Sequence, residues 1–476
     1  MHADFSRVTF RPTEHYAAVL AQQGRVQLDA DANEQAAIEL HRVRTLAADV
    51  IGRNGGPLGA AGFAIDHVAG DHEADDLTIG SGRYYVDGIL LDATRPEPGQ
   101  AVPEDGVWPP GQDESGASGS SWTYWDQPDA YRDPEHDQDR LPSRFPYLVY
   151  LKVWERAVTA AEDPAIREVA LGTAMPDTAA RLKTVWQVLP LPAQELDVPD
   201  GPAETVRNAF ETWADAQQTS TARLAVRTRR PEHADEDPCM VRPGARYRGA
   251  ENQLYRIEIH HGGTAAEGAT FKWSRENGSV VFPVSGIDGT WVALATLGND
   301  DKLVLDAGDW IEIADTAYTS RGEPAPLLRV EEVDLPGRRV RLSGEPVPGV
   351  GRRADRHPFL RRWDHGAAGG PGSPRQAGGA LQIPEGSWTD LEDGLQVWFR
   401  PGGAYRPGDY WTVAARTVTG TVEWPQNAAG EPLLLQPAGI RVHYAPLAWV
   451  TSASSVVDLR RTYRRLTDPA PAAQEN

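Results

Sequence analysis

Asp29, Asp31 and Asn33 alternate in the stretch QQGRVQLDADANEQ (residues 22–35), the spacing with which a calcium loop begins. Such a loop needs glycine at its sixth position and a bidentate glutamate at its twelfth. Those places hold Glu34 and Leu40. The same residues serve better as a helix start. Asp31 as N-cap can accept a hydrogen bond from the backbone N–H three residues on, while Glu34 reaches back to the N–H of Asp31, a carboxylate form of the capping box. Asp31 and Glu34 are therefore read as helix-capping residues, with no metal site.

Other chemistry is sparse. His260 and His261 are neighbours in a strand pattern, so their side chains are expected on opposite faces, where they cannot share a metal. Asp364 and His365 in RRWDH lack an identifiable nucleophile. Glu162, Asp163 and Glu276 lie in turn and hairpin patterns, although two carboxylates about 5–10 Å apart would suffice for a glycosidase. No nucleophile elbow, HExxH, Walker loop or Rossmann glycine set occurs. No catalytic residue and no cofactor are assigned, and the chain is read as a non-enzyme.

The elements that would position these groups are mostly strands. Residues 13–23 read as a short helix and Val26 and Leu28 as part of a brief strand. Ala36, Leu40, Val43, Ala47 and Val50 then recur at spacings of three and four, predicting a long amphipathic helix broadened by Leu46 and Ile51. A helix at 204–217 carries Val206, Phe210 and Trp213 on one face. From residue 251 onward, short alternating runs between Gly, Asp and Pro turns predict sandwiches or small barrels, with 302–342 alone able to close a five-stranded barrel.

The fold class expected is mainly β with N-terminal helices, in several small antiparallel β-sandwich or barrel domains. The expected organisation runs as follows: 1–58, an N-terminal arm and amphipathic helix; 59–98 with 146–195, a first β domain interrupted by a polar flexible insertion at 99–145; 196–250, a helical connector; 251–350, a second, barrel-like β domain; 351–385, a Gly-rich linker; 386–457, a third β segment; and 458–476, an Arg-rich and then disordered tail.

Composition narrows the function. A net charge of -21 is of the wrong sign for a phosphate backbone, so no nucleic-acid partner is expected. The single cysteine, Cys239, excludes an intramolecular disulfide framework. No apolar run approaches the ~18 residues of a membrane span, and the first residues have no signal-peptide pattern, so synthesis and assembly in the cytoplasm are expected. Among the 15 tryptophans, Trp154, Trp186, Trp273, Trp310, Trp398, Trp411 and Trp424 fall in strand patterns and are expected in the core. Trp122 and Trp125, in a polar stretch, are interface candidates.

Long segments of the chain, among them DFSRVTFRPTEHYAAVLAQQGRVQLDADANEQAAIELHRVRTLAADVIG, VYLKVWERAVTAAEDPAIREVALG, ENQLYRIEIHHGG, ATFKWSRENGSVVFPV and GDYWTVAARTVTGTVEWP, resemble a family of uncharacterised proteins associated with phage-tail-like contractile injection systems. The resemblance runs from residue 3 to about 465. A weaker one links GRVQLDADANEQ, GRYYVDGI and YLKVWERAV to the head regions of phage tail-fibre proteins. Ala32 stands where relatives usually carry tryptophan, which keeps the capping logic and removes an anchoring ring. The resemblance implies a structural component, a fibre-head, baseplate-peripheral or spike-surrounding protein that forms homo-oligomers and contacts other particle proteins, in a particle that can be released from the cell. Phe5, Phe10 and Tyr16 are the arm residues that would dock on a neighbour. Two alternatives stand beside this: a carbohydrate-binding module recognising target-cell surface glycans, and a glycosidase-like hydrolase or delivered cargo.

Overall fold

In the computed structural model, which describes residues 1–70, 74–95, 121–172, 177–196, 201–228, 247–297, 304–322, 324–367 and 375–465, strands dominate and a long N-terminal helix stands out. The chain is mainly β, as its alternation predicts. Contacts divide it into two units, one made of residues 1–35, 155–183 and 220–441, the other of 36–154, 184–219 and 442–476.

The first unit holds a six-stranded sheet in the order 376–377, 380–382, 270–274, 253–261, 410–416, 421–423, and a three-stranded sheet in the order 389–390, 395–399, 224–228. Tyr255, Ile257, Phe271, Trp273 and Trp411 of the larger sheet share one core with Val226, Val397 and Phe399 of the smaller. Inward-pointing residues of two sheets interdigitate here as in a sandwich. A closed six-stranded barrel follows, in the order 281–288, 291–294, 339–342, 327–334, 310–314, 359–363. Its interior is filled by branched side chains such as Val292, Ile311, Val330 and Val340.

The barrel is wider in sequence than the expected 302–342. Its first and last strands, Val281–Asp288 and Phe359–Trp363, pair with each other to close it. The last of these lies within the expected linker 351–385, which also supplies two strands of the larger sheet. The expected third segment, 386–457, is no domain of its own. Leu395–Phe399 pairs with Leu224–Thr228, Tyr410–Arg416 with Gln253–His261, and Val442–Ser452 with Tyr147–Val158. These partners lie far away along the chain, and periodicity carries no information about them.

In the second unit, the expected first β domain is completed by the C-terminal strands: 455–458, 442–452, 147–158 and 181–192 form one sheet. The helix Ala203–Gln218 packs Val206 and Phe210 against Leu148, Tyr150 and Trp449. Of the expected insertion 99–145, residues 99–120 lie outside the described set. From residue 121 the segment is folded: Trp122–Thr123 pairs with Asp76–Ile79, and the fully buried Asp139 pairs with Arg132 at 2.6 Å. The Arg-rich tail is likewise structured up to residue 465. Arg460 donates to the carbonyls of Ala61 and Gly62, and Thr462–Tyr463 lies parallel to Gly56–Pro57. Cys239 lies outside the described residues, and among those described no helix is long and apolar enough to cross a membrane.

Asp87 and Gly88 form a two-residue hairpin turn with both φ angles positive, 47° and 78°. A Cβ on Gly88 would lie 2.1 Å from the carbonyl oxygen of Arg44, on the backbone of the long helix. Gly88→Ala is therefore expected to cost ~2–4 kcal/mol, from left-handed strain and collision together. Gly24→Ala has a similar φ of +70° and nothing within 4 Å, and isolates the strain. Equal losses of melting temperature in the two variants would refute the close packing of hairpin on helix.

Candidate interaction surface

Helix α1 runs from Asp29 to Ile51, beginning two residues before the expected N-cap. Asp31 therefore lies inside the first turn. Its carboxylate accepts from the N–H of Leu28 at 3.4 Å, the reach-back role expected of Glu34, while Glu34 accepts instead from the hydroxyl of Thr9. The helix gains its earlier start because Asp29 is held from outside: the N–H and hydroxyl of Ser6 donate to its two oxygens at 2.9 and 2.6 Å. Burial alone would raise the Asp29 pKa, but these bonds and that from the N–H of Ala30 outweigh it and lower it. Negative charge in a first helical turn is favoured by the helix dipole.

The arm before the helix is irregular. Only Pro12–Glu14 forms a turn of 3-10 helix, ended by His15 at φ 57°, and the expected helix 13–23 and strand at 26–28 are absent. An isolated helix of that length is marginal in water without a buried face. Here Tyr16, Leu20 and Val26 are 62%, 82% and 83% exposed, so no such face exists. The arm is tethered by hydrogen bonds: besides Ser6 and Thr9, the N–H of Val19 donates to Gln35 at 2.7 Å and Arg416 donates to the carbonyl of Ser6 at 3.0 Å.

Helix α1 carries two apolar stripes. Ala30 and Ile38 are buried, and Ala37, Ala48 and Ile51 half-buried, so the protein-facing stripe is narrow and made largely of small residues. The stripe expected from sequence lies roughly a third of a turn further round. There Val43, Leu46 and Val50 are about two-thirds exposed and Leu40 is also exposed. Eleven of the twenty-three exposed large apolar side chains among the described residues fall within residues 1–58.

Of the interface candidates, Tyr16 alone is exposed; Phe5 and Phe10 are half-buried. Trp122 and Trp125 are half-buried as well. Both pack against the second unit's core, the indole N–H of Trp125 donates to the carbonyl of Asp75 at 3.0 Å, and the Arg95 guanidinium lies 4.5 Å over the ring of Trp122. Arginine also lies over the half-buried Trp291 and Trp388, so one face of each of these rings is already used. The tryptophans expected in the core are buried, except that Trp310 and Trp398 are half-buried.

The sequence did not foretell a buried charge cluster in the first unit. Strand Gln253–His261 points Tyr255, Ile257 and Ile259 into the sandwich core, yet Arg256, Glu258 and His260 on its other face are buried too. Glu258 lies 2.6 Å from Arg256, 2.9 Å from His2 and 3.3 Å from Lys272; Lys272 then reaches Glu312 at 2.6 Å, and Arg361 reaches Glu312 at 3.0 Å. Asn277 donates to the carbonyls of Met1 and Ala3, tying the start of the chain to the cluster. Both carboxylates are engaged by cations and closed off from solvent, an arrangement that fixes geometry and gives a substrate no approach.

The remaining chemical candidates are likewise occupied. Glu162 pairs with the buried Arg156, and Asp163 accepts from the N–H of Ala165 at 3.1 Å. Asp364 accepts from the N–H of Arg275, whereas the His365 ring meets the carbonyl of Gly379 at 2.6 Å. A register shift between Ile259 and His261 brings the His260 and His261 rings edge to face at 4.3 Å, against the expectation of opposite faces. Among the described residues, no group of three or more His, Cys, Asp or Glu side chains is placed to hold a metal ion.

The model of a family described as "Family of unknown function (DUF6519)" matches residues 1–99 and 201–459 of the chain. Comparison with curated proteins gives no match, and neither does comparison with solved structures.

Proposed function

We propose that this chain, which belongs to the DUF6519 family of unknown function, is a structural assembly component of a phage-tail-like contractile injection particle and works through contacts with other particle proteins and with its own copies. The observation that carries this reading is the concentration of exposed apolar side chains in the first 58 residues. Large apolar patches on a folded surface mark interaction sites. Burying the part of Leu40, Val43, Leu46 and Val50 that is now exposed, 38–66% of each, against another protein is worth ~1–2 kcal/mol per side chain. The place of that partner in an injection particle comes from the resemblance of the arm, helix and strand motifs.

Electron microscopy of purified particles carrying a labelled copy tests the reading. A chain that is absent from the particles and strictly monomeric in solution would defeat it. A second prediction separates assembly from folding. Leu20→Ser combined with Val43→Glu is expected to leave the melting temperature within about 2 °C, as exposed substitutions do, while abolishing incorporation into particles. A melting temperature lowered by 10 °C or more would mean that these side chains serve the chain's own fold.

A further inference from the structure

Ala36, Leu40, Val43, Ala47 and Val50 are separated by four, three, four and three residues, the repeat of a coiled-coil seam. On a straight helix this stripe is self-complementary, because each knob on one copy finds a hole between equivalent residues on another. We propose that α1 is the self-association element and that its seam forms a parallel, in-register bundle of more than two copies. This rests on the reading of the N-terminal surface as an assembly surface, and names the occupant as further copies of this chain.

Three features of the helix carry the proposal. The seam faces outward apart from the half-buried Ala47: Ala36, Leu40, Val43 and Val50 are exposed, and Leu46 beside them widens the stripe. The flanking charges select the orientation. With Leu40 and Ala47 at a and Val43 and Val50 at d, Glu39 falls at g and Arg44 at the e position five residues on. Parallel helices set these two opposite each other across the seam, whereas antiparallel helices set g against g and e against e, giving neither an opposite charge. The bulky seam positions select the copy number, since Leu40 at a with the β-branched Val43 and Val50 at d favours three or four strands over two. The smaller Ala36 and Ala47 bring the helices close and keep the association dependent on every copy's seam.

The test uses the full chain with Cys239→Ser, so that an added cysteine is the only thiol. Ala36→Cys and Val50→Cys are made separately and treated with a short bismaleimide. Each is expected to cross-link to itself, while Thr45→Cys, on the opposite side of the helix from the seam, is not. Light scattering on the untreated protein is expected to give three or four times the 51.9 kDa chain mass. Cross-linking seen only when the 36 and 50 variants are mixed would overturn the parallel arrangement, and a mass of two chains would overturn the bundle. A persistent oligomer with no cross-link at either position would place self-association elsewhere, sinking this inference while leaving the assembly role standing. A monomer would sink the bundle, and the assembly role would then depend on whether labelled particles contain the chain.

Discussion

Glu258→Gln is expected to destabilise the first unit by ~3–5 kcal/mol, because removing one member of a buried ionic network leaves its partners charged and unpaired. Arg256, Lys272 and Arg361 carry three positive charges against the two of Glu258 and Glu312, so the glutamine raises the formal imbalance of a solvent-excluded cluster from one to two. Arg256 would keep the carbonyl of Met1 at 3.1 Å and the face of the Tyr410 ring at 3.6 Å, neither of which carries a full negative charge. Burial on its own raises the Glu258 pKa, but Arg256, Lys272 and His2 outweigh it and hold the carboxyl well below its usual value of 4.5. A depressed carboxyl pKa contributes stability that is fully present above the unfolded value and lost as pH falls below it. The variant should therefore differ most from the wild type near neutrality, with the gap narrowing below about pH 4.5. Urea unfolding at pH 7 and pH 3.5 measures both. Adding Lys272→Met to Glu258→Gln removes one cation and is expected to recover part of the loss, whereas a loss under 1 kcal/mol at pH 7 would mean that solvent reaches the cluster.

The difference between what α1 and this cluster show in the sequence has a physical origin. A helix stripe is a local pattern, so Leu40, Val43 and Val50 announce a common face wherever the helix docks; what periodicity omits is whether that face turns inward. Here the fold uses the alanine-rich stripe instead and leaves the bulky one exposed. The alternation in Gln253–His261 is equally local. It predicts one apolar face correctly, yet the covering of the other face depends on Glu312, Arg361 and the chain's first residues, which are distant in sequence. Polar residues at alternate strand positions normally face water. Arg256 and Glu258 form part of a second buried layer because His2 and Lys272 complete the pairing of Glu258, and Lys272 is in turn neutralised by Glu312 of a barrel strand. The barrel itself was legible as a run of short strands, while its closure by Val281–Asp288 and Phe359–Trp363 was not, since the closing pair joins residues about eighty positions apart, as in Val281 with Arg361. The same limit explains Trp122 and Trp125: a polar neighbourhood in sequence gave no sign that Asp76–Ile79 would recruit them as an edge strand and its cover.

Through His260 and His365, stability is also expected to fall by ~4 kcal/mol between pH 7.5 and pH 5, because these buried rings must take up protons to reach their unfolded state; His2, whose pKa burial also lowers well below 6.5, adds to the fall. Burial pushes the His260 pKa down to about 2, with Lys272 and His261 adding to the effect and Glu258 opposing it. Burial likewise lowers that of His365 to about 4, although its contact with the carbonyl of Gly379 and the nearby Asp364 and Glu312 pull the other way. Both rings are neutral in the folded chain throughout this range. In the unfolded chain they become protonated as pH falls through 6.5, so the unfolded state binds more protons and gains free energy. A histidine lowered in this way contributes full stability above its unfolded pKa and loses it as pH falls towards its folded pKa. At pH 5 the linkage comes to ~2 kcal/mol for each ring. His260→Leu and His365→Gln should each flatten the slope of stability against pH between 6.5 and 5 by about one proton, and the double variant by about two. The slope is the quantity to compare, since either substitution alters packing and so shifts absolute stability at every pH. An unchanged slope in the double variant would show that these rings titrate alike in both states, and the closed ionic core inferred around Lys272 would then have to be open to water.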